Sequence, residues 1–183
     1  MRESRLKKIR DLVAERGLKH ILKDSRNSSD IVIIGENCNI KEGAVIGTDG
    51  FGYERNEVNE LEKFPHYGKV IIGKNVDIGA NTCIDRGNLE DTIIGDGTKI
   101  DNLVHVGHNC KVGKNVIIVA GTVLGGHTVI EDNCIIYANV MTKPWTRIGS
   151  GSVIGANSFV NKDVPVNEIW AGVPAKKIKD KDF

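Results

Sequence analysis

Aromatic side chains are scarce in this 183-residue chain, at 5% of the sequence, although 40% of it is hydrophobic. A core built on a few bulky rings is therefore excluded, and the 21 glycines point to many small turns instead. Charge of one sign is missing as well. The formal net charge is +1, so no overall field argues for nucleic acid or a membrane surface as a partner. No stretch approaches the roughly 18 consecutive apolar residues of a membrane span. The opening MRESRLKKIRDL has no apolar h-region, which predicts a cytoplasmic protein. The four cysteines, Cys38, Cys83, Cys110 and Cys134, form no CxxC pair, so no metal site is expected from them.

What the chain does have is a beat of six. Ile94, Ile100, Val106, Val112, Ile118, Leu124, Ile130, Ile136, Thr142, Ile148, Ile154 and Val160 follow one another at that spacing, with Thr142 the one polar member. Ile34, Ile40 and Ile46 keep the beat earlier, as do Ile72, Ile78 and Ile84. Four residues after each beat stands a small or β-branched residue, as at Thr98, Val104, Cys110, Thr122 and Cys134. A period of six is neither helical nor plainly alternating. It predicts an all-β solenoid of short strands joined by tight turns, with aliphatic residues stacked inside and small ones filling the corners. The pattern resembles the left-handed parallel β-helix of hexapeptide repeats, three hexapeptides to a coil. Cys38, Cys110 and Cys134 fall on the small inward position and read as core filler, whereas Cys83 does not.

This β-helix is expected to span residues 31–165. Leu6, Ile9, Leu12 and Val13 predict a short helix in the segment 1–30, with a basic outer face, capping the open end. The tail 166–183 leaves the beat and is expected to fold back as a loop or short helix, anchored by Trp170. Two breaks interrupt the repeat. One is a loop at 47–69, GTDGFGYERNEVNELEKFPHYGK; the other is DRGNLEDTI, from Asp85 to Ile93. Insertions in solenoids emerge on one face, often the one that binds.

One histidine departs from the repeat. His108 stands two residues after Val106, outside the inward positions, and one coil later comes Gly126, followed by His127. Stacked coils bring Gly126 within a strand spacing, about 4.8 Å, of His108. An imidazole beside a bare backbone suits acyl transfer. The ring removes the proton of an attacking amine or hydroxyl, and a backbone N–H receives the oxyanion. Asp101 is placed to orient the ring. Spacing alone leaves open that His108 is a surface histidine on a regular scaffold.

GTDGFGY (Gly47–Tyr53), IGANTCIDRGNLEDTIIGDGTKIDN (Ile78–Asn102) and VGHN (Val106–Asn109) resemble the signature of the UDP-3-O-acylglucosamine N-acyltransferases of lipid A synthesis. The similarity covers roughly residues 34 to 140. The resemblance implies transfer of an acyl group from a thioester, on acyl carrier protein or coenzyme A, to the amine of a nucleotide-linked amino sugar. It implies a homotrimer with no bound cofactor. It assigns His108 as general base, Asp101 as its acidic partner, Asn102 as an adjacent polar site residue and Gly126 as the oxyanion glycine.

The chain departs from that family in three places. Trp145 occupies the position of a second site histidine. A short segment precedes the solenoid where the family has a larger domain that helps hold uridine. The ending NKDVPVNEIWAGVPAKKIK is similar to the tail of acetyl-CoA-dependent sugar acetyltransferases, which makes Lys176 and Lys177 candidates for CoA phosphates. Further substrate-binding candidates are Phe51 and Tyr53, for stacking, and Asp85, Arg86, His127 and Trp145. His66, in the long loop, is expected to be solvated. Acetyl transfer from acetyl-CoA to a sugar is the close alternative. More remote are a zinc carbonic anhydrase using His105, His108 and His127, and a non-catalytic β-helix scaffold.

Overall fold

The computed structural model describes residues 31–181. The helix expected near the N-terminus falls on residues 1–30, outside the described residues. The described chain winds around three parallel sheets. The first stacks Val32–Ile34, Val70–Ile72, Thr92–Ile94, Lys111–Val112, Val129–Ile130 and Arg147–Ile148. The second runs from Asn39–Ile40 through Asp77–Ile78, Lys99–Ile100, Ile117–Ile118 and Ile135–Ile136 to Val153–Ile154. The third stacks Val45–Asp49, Cys83–Arg86, His105–Val106, Val123–Leu124, Met141–Thr142 and Phe159–Val160. The chain visits these sheets in rotation, the solenoid that the six-residue beat predicts, in the form of the left-handed parallel β-helix that the pattern resembles. Where nothing is inserted a coil takes 18 residues, so Ile100 stacks on Ile118, Ile118 on Ile136 and Ile136 on Ile154.

Most strands are only two residues long, and the second residue of each points inward. Ile78, Ile84, Ile118, Leu124, Ile136, Ile148 and Ile154 are fully buried in one continuous column. Each such side chain contributes about 1.5–3 kcal/mol of burial. The small corner residues do more than fill space. Thr98 Oγ1 donates to Gly113 O at 2.8 Å, Thr122 Oγ1 to Tyr137 O at 3.0 Å and Cys134 Sγ to Gly149 O at 3.1 Å. Each donates to a carbonyl of the next coil. Burial pushes the Cys110 thiol up to about 12 and that of Cys134 to about 11, so neither is a nucleophile near neutral pH. Cys83 lies on the outward side of its strand, between Val45 and His105.

The tail corrects the expectation of a loop or short helix. Glu168–Gly172 adds in parallel to Val153–Ile154, and Ala175–Asp180 returns antiparallel to it. The second sheet ends in an open edge, and a strand is what an edge recruits. Trp170 pairs with Ile154 and closes the core at 7% exposure, so it does anchor the tail. Lys176, Lys177 and Lys179 on the outermost strand discourage further pairing.

The two breaks emerge together. The first forms a hairpin, Tyr53–Arg55 against Leu61–Lys63, whose turn is held by Asn56 Oδ1 accepting from Val58 N and Glu60 N. Its returning limb is pinned to the second break: Tyr67 N donates to Asn88 O, Gly68 N to Gly87 O, and the buried Arg86 Nε to Gly68 O. Both insertions therefore lie over the corner between the third and first sheets.

Thr142 breaks the aliphatic beat for a local reason. Its buried hydroxyl accepts from Gly125 N at 3.0 Å and bonds Thr128 Oγ1 at 2.8 Å, while Thr128 Oγ1 also lies 2.7 Å from Gly125 O. Thr142→Val keeps the shape and strands Gly125 N–H. Urea denaturation is expected to show a loss of about 1–3 kcal/mol, the cost of a buried unpaired donor.

Candidate active site

His108 follows the strand His105–Val106 by one glycine. That glycine is required by contact. A Cβ on Gly107 would meet Leu124 O at 2.8 Å and Gly126 N at 2.9 Å. The next coil thus presses against the turn, and His127 N donates to His108 O at 2.9 Å. Gly126 lies under the imidazole, as the spacing predicts: a Cβ there would fall 2.7 Å from His108 Nε2. Among the described residues no protein group accepts from the Gly126 N–H.

The ring of His108 is oriented by Asn109, a residue the sequence reasoning quoted but did not assign. Asn109 Nδ2 donates to Glu90 O at 3.0 Å, and Asn109 Oδ1 accepts from Asn88 N at 3.1 Å. A carbonyl only accepts and a backbone N–H only donates, so the amide is held one way round. Its Oδ1 lies 2.9 Å from His108 Nδ1. Nδ1 must then carry the proton, which leaves the Nε2 lone pair over Gly126, facing the cleft.

The cleft has a volume of about 340 Å³, with Tyr53, Phe64, His66, His108, Gly126 and Trp145 in its walls. His127 stands edge-on to His108, with centroids 5.1 Å apart, and stacks flat on Trp145 at 3.6 Å. Asn109, His127 and Trp145 occupy one corner position in three successive coils, at φ 61°, 63° and 69°. Elsewhere that left-handed corner is held mostly by asparagine, at positions 37, 75, 81, 115, 133, 139 and 157. Asparagine adopts it readily, whereas bulky side chains resist it by about 1–2 kcal/mol. Histidine and tryptophan at an asparagine position are therefore a signal that the sequence carried.

His66 is not the solvated residue expected of the loop. It is 4% exposed, its Nδ1 lies 2.9 Å from Phe64 O, and its ring stands edge-on to His108 at 5.5 Å. Burial above all, aided by neighbouring His108 and Lys63, holds its pKa below the ordinary histidine value against Asp49 and the Phe64 carbonyl. The ring is neutral at pH 7.

The other expected site residues divide. Tyr53 and Trp145 line the cleft. Phe51 stacks edge-on against Tyr53 at 5.1 Å but is itself 88% exposed. Asp101 is not brought to His108. Its Oδ1 accepts from Asn102 N at 2.7 Å, a turn contact, and Asn109 takes the orienting role. Asn102 likewise serves the coil, accepting from Ala80 N at 2.8 Å. Asp85 is buried, accepting from Thr48 Oγ1 at 3.2 Å and lying 3.7 Å from His105 Nε2. Burial raises its pKa, against the pull of His105, Thr48 and His108, so Asp85 is the carboxyl group that feels the His108 charge. Arg86 is spent on the loop. Lys177 is paired with Glu168 at 2.8 Å and Asp180 at 2.7 Å on the terminal hairpin, and neither it nor Lys176 lines the cleft. His105 is turned to Asp85 and His127 to Trp145, and the described residues contain no cluster of three metal-ligating side chains.

The family model of the GMPPB C-terminal domain matches residues 88–182, and that of the hexapeptide repeat of succinyl-transferase matches 69–102. The chain is 46% identical over 148 residues to a UDP-3-O-acylglucosamine N-acyltransferase of Methylobacterium nodulans, covering 81% of this chain and 42% of that protein. It is 44% identical over 147 residues to the protein of the same name from Methylorubrum extorquens, with 80% and 42% covered. The chain thus spans about two fifths of the length of these relatives. Among solved structures it is similar to a UDP-N-acetylglucosamine acyltransferase of Francisella novicida, with TM-score 0.70, 27% identity, and 81% of this chain and 60% of that one covered.

The close approach of Gly126 to the imidazole yields a direct expectation. In Gly126→Ala the new methyl displaces the His108 ring. The protein is expected to keep its melting temperature to within a few degrees and to lose the His108 ring position in a crystal structure.

Proposed function

The chain belongs to the hexapeptide-repeat acyltransferases, the family of its curated relatives, and on that premise we propose that it transfers an acyl group from a thioester to the amine of a nucleotide-linked amino sugar. The observation that carries this reading is the pairing of a base and an oxyanion donor. With Nδ1 protonated against Asn109, His108 Nε2 is the free acceptor over Gly126, whose N–H has no acceptor among the described residues.

The amine attacks the thioester carbonyl as Nε2 takes its proton, forming the C–N bond and an oxyanion. The oxyanion accepts from Gly126 N–H, which no reorganisation is needed to present. The intermediate then collapses, the C–S bond breaks, and the imidazolium returns its proton to the thiolate. No acyl-enzyme forms, in keeping with thiols at Cys110 and Cys134 that burial holds protonated. The neutral Asn109 fixes the tautomer without adding charge, and the buried Asp85 carboxyl group interacts electrostatically with the ring.

The donor is acyl carrier protein or acyl-CoA. In the tail Lys177 is paired with Glu168 and Asp180 on its own hairpin, which leaves Lys176 as the candidate for a CoA phosphate. The reading includes a homotrimer in the cytoplasm acting in lipid A assembly, and no helix among the described residues is long and apolar enough to cross a membrane.

The test is a panel of UDP- and dTDP-linked amino sugars, each with acetyl-CoA or hydroxyacyl carrier protein, read by product mass. Wild type is expected to add an acyl group. His108→Ala is expected to slow turnover by about 10²–10⁴-fold, the usual loss of a general base. Equal rates in the two proteins would contradict the reading.

A further inference from the structure

The acyl-transfer reading uses one imidazole of the cleft and leaves a second unexplained. His66 Nδ1 faces the Phe64 carbonyl, which can only accept, so Nδ1 holds the proton and Nε2 is a bare acceptor. No protein group donates to that Nε2 among the described residues, and none of their fully enclosed polar side-chain atoms lacks a partner. The unpaired nitrogen therefore opens onto the cleft that His66 lines. The loop is shaped to leave it there. A Cβ on Gly50 would fall 2.9 Å from His66 Nε2 and 2.8 Å from His108 Cβ, and one on Gly52 would fall 3.1 Å from Phe64 Cβ. Packing alone does not account for this histidine, since an apolar ring would fill the same space without an unpaired acceptor.

We propose that His66 is a specificity-determining residue whose Nε2 accepts a hydrogen bond from a substrate hydroxyl held beside the group that His108 deprotonates. With the two rings 5.5 Å apart, that hydroxyl is carried by a carbon two bonds from the reacting atom. Two parts of the substrates carry hydroxyls of that description: the amino-sugar ring and the acyl chain. The proposal rests on the acyl-transfer reading of the same cleft, and its test separates the two.

The test uses matched probe pairs: a 3-hydroxyacyl and an unsubstituted acyl pantetheine thioester, and a UDP-amino sugar with its ring-deoxy analogues. Binding is followed by the fluorescence of Trp145 in the cleft wall, and turnover by product mass. Wild type is expected to prefer the hydroxylated member of one pair by about 10- to 100-fold, the effect of leaving one buried acceptor unpaired. His66→Phe is expected to erase that preference, lowering kcat/KM for the hydroxylated member about 10- to 100-fold more than for the deoxy member. His66→Gln, which offers an amide oxygen in place of Nε2, is expected to restore part of it. The pair affected names the source of the hydroxyl.

Absence of any preference in wild type overturns the proposal. So does a preference that survives in His66→Phe, or an equal loss for both members of each pair. A binding preference that depends on His66, in a protein that turns over no thioester, upholds the role of His66 and refutes the acyl-transfer reading instead.

Discussion

The N–H of His127 donates to the carbonyl of His108 at 2.9 Å, and that bond sets which residue lies over which at the working corner of the solenoid. It keeps the 18-residue register through a turn where the side chains are large. Gly107 and Gly126 exist at their positions because the bond draws two backbones together, and the imidazole occupies the space that the second glycine leaves. The same register places His127 over Asn109 and Trp145 over His127. The proposed constellation is a consequence of stacking, and a change of one residue in coil length would dismantle it.

The insertions depend on the same corner from the other side. Asn88 and Glu90, in the shorter insertion, clamp the Asn109 amide, while Gly87, Asn88 and Arg86 hold the limb that delivers Phe64 and His66. One asparagine thus joins the regular coil to the shorter insertion, which in turn holds the longer one. Its amide sets the tautomer of His108, and the loops that fix it also wall the cleft. Burial of Asp85 beneath, with its raised pKa, brings an acidic group into range of His108 without a direct hydrogen bond.

Much of this was legible in the sequence. The six-residue beat gave the sheets, the inward columns and the corner cysteines, because a period is a global property that no single residue can mask. Gly126 was found beneath His108 because the coil length alone stacks them. A spacing argument locates the backbone of Asp101 and not the direction of its carboxylate, which here turns to its own neighbour Asn102. His66 was missed because the insertion has no period, and the contacts that bury it come from Gly50, Phe64 and His108, distant or irregular in sequence. The tail hairpin was missed because its cause is the unpaired edge at Val153–Ile154, a feature that exists only once the sheet does.

The account turns on the protonation of one ring. The imidazole nitrogens of His108 are read directly by long-range ¹H–¹⁵N correlation spectra of ¹⁵N-histidine-labelled protein, assigned with His108→Ala, above the pH at which the ring loses its charge. The account predicts the Nδ1–H tautomer, with a pyridine-like Nε2, and its loss in Asn109→Ala. An Nε2–H tautomer in the wild-type protein would contradict it, for a proton on that nitrogen leaves the cleft without its base.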